Sequence, residues 1–171
     1  MSQFITFWST VFLPPALPLA QVPSASRRLF SSPLGSTRPG GPVLSLSDTN
    51  MRESARLPST FDVTSMSWLV QPVYPQGDLE QLAQAQHVFD DARDLATVLG
   101  HGVLVWDFTQ TAIEVGPLWI GKVEQSIQIP EHATFAVDLR FGPECPSIQR
   151  EHAVRVCLHG TLKTSFQMGL Y

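Results

Sequence analysis

The sequence of 171 residues has few cysteines, few lysines and no long uninterrupted apolar run. Its two cysteines, Cys145 and Cys157, cannot form a multi-bridge disulfide framework, and neither belongs to a Cys-x-x-Cys metal-binding pair. Two lysines are few for a protein that wraps nucleic acid, because that affinity comes largely from cations on phosphates. Pro14, Pro15 and Pro18 interrupt the best candidate for a membrane-spanning segment. We therefore expect a globular protein without a nucleic-acid partner or a membrane span.

Acidic residues are missing from the first 47 residues, which hold three arginines and half of the 14 prolines. The remaining residues hold 8 basic and 15 acidic groups, a net charge of −7 within the overall −4. An acid-poor segment that contains serine and arginine is typical of an organellar presequence, and Arg28-Leu29-Phe30-Ser31 is similar to a mitochondrial processing site. This pattern predicts a leader or a disordered Pro/Ser-rich segment over 1–47 and a folded domain over 60–171.

Other interpretations of residues 1–47 stay open. The apolar stretch Phe4–Leu13 followed by the small residues Ser24-Ala25-Ser26 has the order of a secretory signal. An unprocessed Pro/Ser tail also fits the composition. The prediction for localisation is the mitochondrion, with the cytoplasm as the alternative.

A helical pattern follows a turn at Gln76-Gly77. Apolar residues recur every three or four positions from Leu79 to Leu99, and polar residues occupy the opposite face. Asp78 can cap the free N–H groups at the start, and Gly100 can end the helix. We therefore predict one long helix over 79–99.

Strand patterns lie on both sides of this helix. Phe61–Tyr74 is rich in β-branched and aromatic residues and precedes Pro75. After the helix, apolar and polar residues alternate in four successive segments, which are 101–108, 112–129, 133–141 and 153–166. This order predicts an α+β domain whose antiparallel sheet wraps around the helix.

Two short motifs extend this prediction to a family. The string 89–95 (FDDARDL) with Gly100 resembles the central helix of hotdog-fold acyl thioesterases, and 117–121 (PLWIG) resembles their strand–turn–strand. The resemblance covers about residues 60–168 and implies a hotdog fold, in which a curved antiparallel sheet wraps around one long central helix. It also implies a homodimer or homotetramer that hydrolyses an acyl or polyketide-type thioester. Coenzyme A or the phosphopantetheine of an acyl carrier protein would then be part of the substrate, with no separate cofactor.

The resemblance also implies where the chemistry lies. N–H groups at the start of the helix would stabilise a developing oxyanion, and a nearby carboxylate would activate the attacking group. The catalytic candidates are Asp78, Glu80 and His87. The substrate-binding candidates are Tyr74, Trp106 and Trp119. Each also has a structural interpretation, as a helix cap, a favourable first-turn charge, a solvated histidine, a strand end or a core aromatic.

Alternatives to this site and function remain. Cys157 and His159 share one face of the last predicted strand, so they could form a nucleophile and base, although sheet-surface positions are more common for such residues. The chain could also be a non-catalytic hotdog or β-rich assembly subunit docked through its N-terminal arm. A third alternative is a viral coat-type β-sandwich, which the strand-Gly-strand at 154–166 and the acid-poor arm allow and the long helix disfavours.

Overall fold

The computed structural model describes residues 2–38, 41–74, 85–108 and 110–163, and within them all side chains except those of residues 85–88. These ranges contain eight strands, one α-helix and three short 3-10 turns. The strands are β1 (Ser2–Leu13), β2 (Arg28–Leu29), β3 (Phe61–Pro72), β4 (Gly102–Phe108), β5 (Thr111–Pro117), β6 (Lys122–Ile129), β7 (Phe135–Phe141) and β8 (His152–Lys163), and helix α1 is Ala85–His101. The 3-10 turns are Leu19–Gln21, Ser24–Ser26 and Leu118–Ile120.

The strands form two four-stranded antiparallel sheets with the orders β1-β8-β3-β6 and β2-β7-β4-β5. Strand β1 pairs with β8, β2 with β7, β3 with β6, and β4 with β5. The chain is thus one long antiparallel ribbon that folds back between β4 and β5. Rolling this ribbon brings β8 against β3 and β7 against β4. Eight strands wound in this way form a jelly roll.

Alternating side chains from both sheets fill the space between them. Along β8, for example, Val154, Val156 and Leu158 are buried while the residues between them are half-exposed. The largest fully buried side chains are Trp106, Phe30, Phe61, Phe135, Leu13, Leu19, Leu29, Met51, Met66, Leu104, Leu118 and Ile129. They come from both sheets and from the connections, so the interior is a filled core of the kind that face-to-face sheets bury.

The hotdog prediction is wrong, because the residues that the structure describes contain no long central helix and their strands form two sheets instead of one. Helix α1 lies beside the sandwich, against β3, β5 and the turn Leu118–Ile120. Its residue Phe89 is 72% exposed, whereas the apolar stripe of a wrapped helix would be buried. The strands bury one another, and this leaves no interior position for the helix.

The predicted helix over 79–99 is described from Ala85, and residues 79–84 lie outside the described residues. The helix continues through Gly100 to His101, so Gly100 does not end it as predicted. The segment predicted as 112–129 contains two strands, β5 and β6, separated by a turn.

The N-terminal segment belongs to the sandwich, where a separate leader or disordered segment over 1–47 was predicted. Strand β1 pairs with β8 along its whole length. Leu13, Leu19, Leu29 and Phe30 are fully buried in the core. One sandwich therefore runs from β1 to β8, in place of a folded domain limited to 60–171. Mitochondrial targeting itself stays a prediction.

A loop seals the outer edge of β1. The Asn50 side chain accepts a hydrogen bond from the Trp8 N–H (2.8 Å) and donates one to the Thr6 carbonyl (2.9 Å). The Thr10 hydroxyl donates to the Asp48 carbonyl (2.8 Å). The two Asn50 bonds occupy backbone groups that an unprotected edge would offer to another strand, and the Thr10 bond fastens the loop to the strand.

Candidate functional site

The catalytic candidates of the sequence lie outside the residues whose side chains the structure describes. Asp78 and Glu80 lie outside those residues, as does the side chain of His87, whose backbone is part of α1. Thioester hydrolysis, the coenzyme A or phosphopantetheine arm and an acyl-carrier partner therefore stay predictions that the described geometry does not test.

Tyr74 is described, and it belongs to a network that fastens helix α1 to the chain before β8. Its hydroxyl donates to Asp91, whose other carboxylate oxygen lies 3.1 Å from the Arg150 Nε atom. The Arg150 guanidinium also lies over the Tyr74 ring, 4.6 Å from its centroid. The hydrogen bond to Asp91, helped by burial, raises the pKa of Tyr74. Because the Tyr74 hydroxyl stays protonated and the Arg150 guanidinium covers its ring, we interpret these contacts as structural: they hold α1 against the chain before β8.

Asp94 completes this attachment one helical turn further along. Its side chain is 2% exposed, and its Oδ2 atom accepts hydrogen bonds from the backbone N–H groups of Gln149 (2.9 Å) and Arg150 (3.1 Å). Such charge-assisted bonds satisfy a buried carboxylate. The helical period places Asp94 on the polar face opposite the apolar stripe, and a polar residue there gives no signal in the sequence that it is buried.

The two tryptophans predicted as substrate-binding residues occupy opposite environments. Trp106 is fully buried in β4, stacked 5.8 Å from the Phe108 ring and tilted 6.3 Å from the Phe135 ring. Trp119 is 68% exposed on the turn before β6. Trp106 is therefore a core residue, and Trp119 is a surface residue.

A hydroxyl–imidazole cluster lies on the outer face of the first sheet. The two ring nitrogens of His159 are each 2.9 Å from a hydroxyl, Nδ1 from Thr6 and Nε2 from Ser67. The neighbouring Cys157 lies in register with Ser67 on β3. Burial raises the pKa of the Cys157 thiol and thereby disfavours the nucleophilic thiolate.

This cluster ties three strands together, and its setting is poor for catalysis. Ser67 and His159 have the contact distance of a nucleophile and its base. However, β8 is paired on both sides, with β1 and with β3, so its backbone N–H groups serve the ladders. Oxyanion stabilisation needs donors directed at the developing charge. We interpret the cluster as cross-strand hydrogen bonding.

The turn that carries the exposed Trp119 is anchored by contacts with β3 and with Gly102. The indole N–H of Trp68 donates to the Leu118 carbonyl (2.7 Å), and the Trp68 backbone N–H donates to the Gly121 carbonyl (2.8 Å). Leu118 is buried, and a Cβ atom added to Gly102 would lie 2.3 Å from its Cδ1 atom. Because Gly102 has no side chain, the Leu118 side chain can pack closely against it in the core and so anchor the turn.

The same turn holds Trp119 in solvent. Gly121 closes it at φ +76°, a left-handed conformation that glycine adopts without steric cost. Burying a large apolar side chain is worth about 1.5–3 kcal/mol, and the exposed indole leaves much of that stabilisation unrealised. An aromatic side chain presented on the surface by a well-anchored turn has the character of an interface anchor.

Two more exposed apolar residues flank Trp119. Ile120 is the last residue of the turn, and Leu69 follows Trp68 on β3, so the backbone bond between Trp68 and Gly121 places Leu69 beside the turn. Leu69 and Ile120 are both exposed, and we call Leu69, Trp119 and Ile120 the corner patch. The sequence signals for it were the Pro117 and Gly121 that bound the turn and an outward position in β3.

Searches of protein-family models, curated proteins and solved structures found no match to this chain. The jelly-roll assignment therefore rests on the strand order itself. Within the described ranges, no group of three or more His, Cys, Asp and Glu side chains is arranged to hold a metal ion. No helix in those same ranges is long and apolar enough to cross a membrane.

Proposed function

We propose that this chain is a non-catalytic structural subunit of coat type, which assembles with copies of itself through its surface. The observation that carries the proposal is the rolled ribbon of eight strands with the orders β1-β8-β3-β6 and β2-β7-β4-β5. Jelly rolls of this kind build viral capsids, and they also occur in lectins and cupins. Fold alone does not define function, so the proposal needs support from particular residues.

Because side chains fill the interior, the proposal assigns the function to the outer surface of the sandwich. Trp106, Phe61 and Phe135 occupy the space between the sheets, where some sandwiches and barrels hold a ligand. The N-terminal arm is already used within the fold as β1, so docking by a free arm has less support than docking by the outer surface.

The corner patch supports association between copies. Trp119 is the kind of rigid aromatic residue that dominates protein interfaces, and Leu69 and Ile120 add apolar surface around it. Beside the patch on β6, Lys122 and Glu124 form an exposed ion pair with a separation of 3.3 Å. A rim with both signs of charge suits a second copy of the same surface, because each copy can offer the other its complement.

Sedimentation velocity over a range of protein concentrations tests the proposal, with electron microscopy of the assembled fraction. We expect concentration-dependent assembly and closed particles. Trp119→Ser should weaken association at least tenfold, because an aromatic anchor at an interface typically contributes more than about 1.4 kcal/mol.

The matched control is Phe4→Ser, because Phe4 is also 68% exposed but lies near the start of β1. It should leave association unchanged. A monomer at every concentration would contradict assembly, and equal effects of the two variants would contradict the corner patch as the interface. Discrete dimers without closed particles would retain an assembly subunit and contradict the coat type.

A further inference from the structure

Four strands form the edges of the two sheets, and β5 has the least protection against pairing with another strand. The loop at 45–51 bonds to the edge of β1, the outward side of β6 carries Lys122 and Glu124, and β2 is only two residues long. Covering loops, charges and short length are the means by which proteins prevent pairing at an edge. Strand β5 is seven residues long and carries one charge, that of Glu114.

The open part of β5 is its first half. Gly116 is buried, and a register shift against β4 together with Pro117 limits pairing in the second half. Four consecutive residues of the first half are exposed, which are Thr111, Ala112, Ile113 and Glu114. Along an antiparallel pair, residues alternate between bonding to the partner strand and directing their N–H and C=O groups away from it. Some of these groups in 111–114 therefore point away from β4, where the described residues supply no backbone partner.

Ile113 gives this edge an apolar side chain. It lies opposite Trp106 of β4, and directly opposite side chains share one face of a sheet. Ile113 is therefore on the core-facing side of the sheet, where Trp106 is fully buried, yet it is 41% exposed because β5 is the last strand. Thr111 and Ile113 are also β-branched residues, which are favoured in strands. A strand added beside β5 would cover Ile113 and bond to the open backbone groups.

A second copy of β5 is complementary to the first. Two antiparallel strands related by a two-fold axis offer the same residues to each other. With the axis at Ile113, this side chain lies opposite the partner's Ile113, and Glu114 lies opposite the partner's Ala112. The two carboxylates are then diagonal to each other, and each faces a small neutral residue, so like charges are not directly opposed. This match favours a second copy over an unrelated strand.

We propose that the edge of β5 pairs with β5 of a second copy across a two-fold axis at Ile113. The pairing joins two four-stranded β2-β7-β4-β5 sheets into one sheet of eight strands. This inference rests on the proposed function, since it names one contact between copies that assemble. A two-fold contact by itself ends at a dimer, so a larger assembly needs a second contact, which the corner patch supplies.

Cysteine cross-linking tests the register directly. In Ile113→Cys, the new Cβ atoms of the two copies would lie about 4.5–5.5 Å apart, near the separation that a disulfide requires. In Ala112→Cys they would be diagonal, about 7–8 Å apart, which is too far without backbone movement. We expect Ile113→Cys to form a covalent dimer at least about tenfold faster in mild oxidant, as measured by non-reducing electrophoresis. The parent protein gives the background rate from Cys145 and Cys157.

Sedimentation velocity in the Trp119→Ser background isolates this contact, because the corner patch is weakened there. Ile113→Lys would place like charges opposite each other and should weaken the remaining association at least about tenfold. Gln3→Lys adds the same charge at an exposed position near the start of β1 and should change nothing. Glu114→Gln removes the diagonal carboxylates and should strengthen association up to about fivefold. Thermal melts establish that each variant is folded.

The opposing results distinguish this inference from the proposed function. Cross-linking of Ala112→Cys as fast as that of Ile113→Cys overturns pairing centred at Ile113. Equal association of Ile113→Lys and Gln3→Lys overturns β5 as a contact, and the proposed function then stands without it if Trp119→Ser still weakens the assembly of the parent protein. A parent protein that is monomeric at every concentration overturns both.

Discussion

The two edge strands of the first sheet, β1 and β6, are protected from pairing with another strand in different ways. On one side, the loop at 45–51 covers the edge of β1 and bonds its backbone through Asn50. On the other side, β6 is the edge strand, and its outward residues Lys122, Glu124, Ser126 and Gln128 are exposed. The long, apolar β1 is protected by a covering loop, whereas the shorter β6 is protected by its own charges.

This difference shows where new contacts can form. A covered edge cannot accept another strand without displacing its loop, so β1 contributes stability to the fold. The β6 side ends at the corner patch, whose aromatic residue has no cover in the described structure. We therefore expect changes on the β1 side to affect mainly folding, and changes on the β6 side to affect mainly association.

The largest expected effect is the loss of β1. Deleting residues 1–13 removes one of the two strands that pair with β8, along with the core residues Phe7, Val11 and Leu13. A domain is stabilised by only about 5–15 kcal/mol, which this loss exceeds. We expect no cooperative thermal transition in circular dichroism.

Deleting residues 1–4 is the matched control, because Ser2, Gln3 and Phe4 are exposed. It should cost less than about 1 kcal/mol. A cooperative transition in the 1–13 deletion would show that the sandwich does not need β1. The same experiment bears on processing at Arg28-Leu29-Phe30, because removal of the preceding residues also removes β1.

The next largest effect concerns the support of the corner patch. In Gly102→Ala, the new methyl group would lie 2.3 Å from Leu118 Cδ1 and 2.8 Å from the Val98 carbonyl oxygen. Overpacking of this kind costs about 1–3 kcal/mol, and movement of Leu118 would disturb the turn that presents Trp119. We expect a lower Tm and weaker self-association.

Gly100→Ala provides the comparison, because a Cβ atom at Gly100 meets nothing within 4 Å. Replacing a helical glycine by alanine should stabilise the protein by about 0.5–1 kcal/mol. If both substitutions shift Tm alike, the close contact at Gly102 does not constrain the turn.

A smaller effect compares the two edges directly. Asn50→Ala removes both side-chain bonds to β1 and should cost about 1–2 kcal/mol in urea unfolding, with increased aggregation from the uncovered edge. Gln128→Ala removes the exposed bond from β6 to Asp62 (2.7 Å) and should cost less than about 0.5 kcal/mol. Equal costs would remove the distinction between a covered edge and a self-protected one.

The smallest effect is a pH dependence at the helix attachment. The pKa of Tyr74 is raised in the folded state by its bond to Asp91, so the stabilisation is present below the unfolded pKa of about 10 and is lost as pH rises through the folded value. Tyr74→Phe should be slightly less stable than the parent protein near pH 8. The difference should shrink as pH rises above about 10 in urea unfolding, and a constant difference would count against this coupling.

Local patterns predicted many of the strands but not their arrangement. β8 was recognisable because buried and exposed residues alternate cleanly along it. β1 was missed because its outward residues Trp8 and Phe12 are also large and apolar, covered by a loop and by Arg38. Strong apolar character on both faces hides the period of two. The pairing of β1 with β8 joins opposite ends of the sequence, and no local pattern encodes it.

The spacing of apolar residues identified the helix, but the resemblance to hotdog proteins placed it wrongly at the centre of a sheet. Val98 is buried and Leu95 and Leu99 are half-buried, so the stripe is narrower than the sequence suggests, and Phe89 faces solvent. A stripe of this width needs only the side of a sandwich, whereas a central helix must be covered all round. Among the site candidates, Trp119 was predicted as a substrate-binding residue, and its exposure on the surface depends on tertiary contacts at Gly102 and Trp68 that no local pattern encodes.

The rolled ribbon also has a consequence for the order of events during synthesis. The first described strand pairs with the last, so β1 leaves the ribosome long before its partner exists. Contacts between such distant segments slow folding, and an unpaired apolar strand is prone to aggregation while it waits. The ribosome-bound chain should therefore depend on chaperones until β8 has emerged, and a circular permutant that joins the two strands by a short turn should fold faster than the natural order.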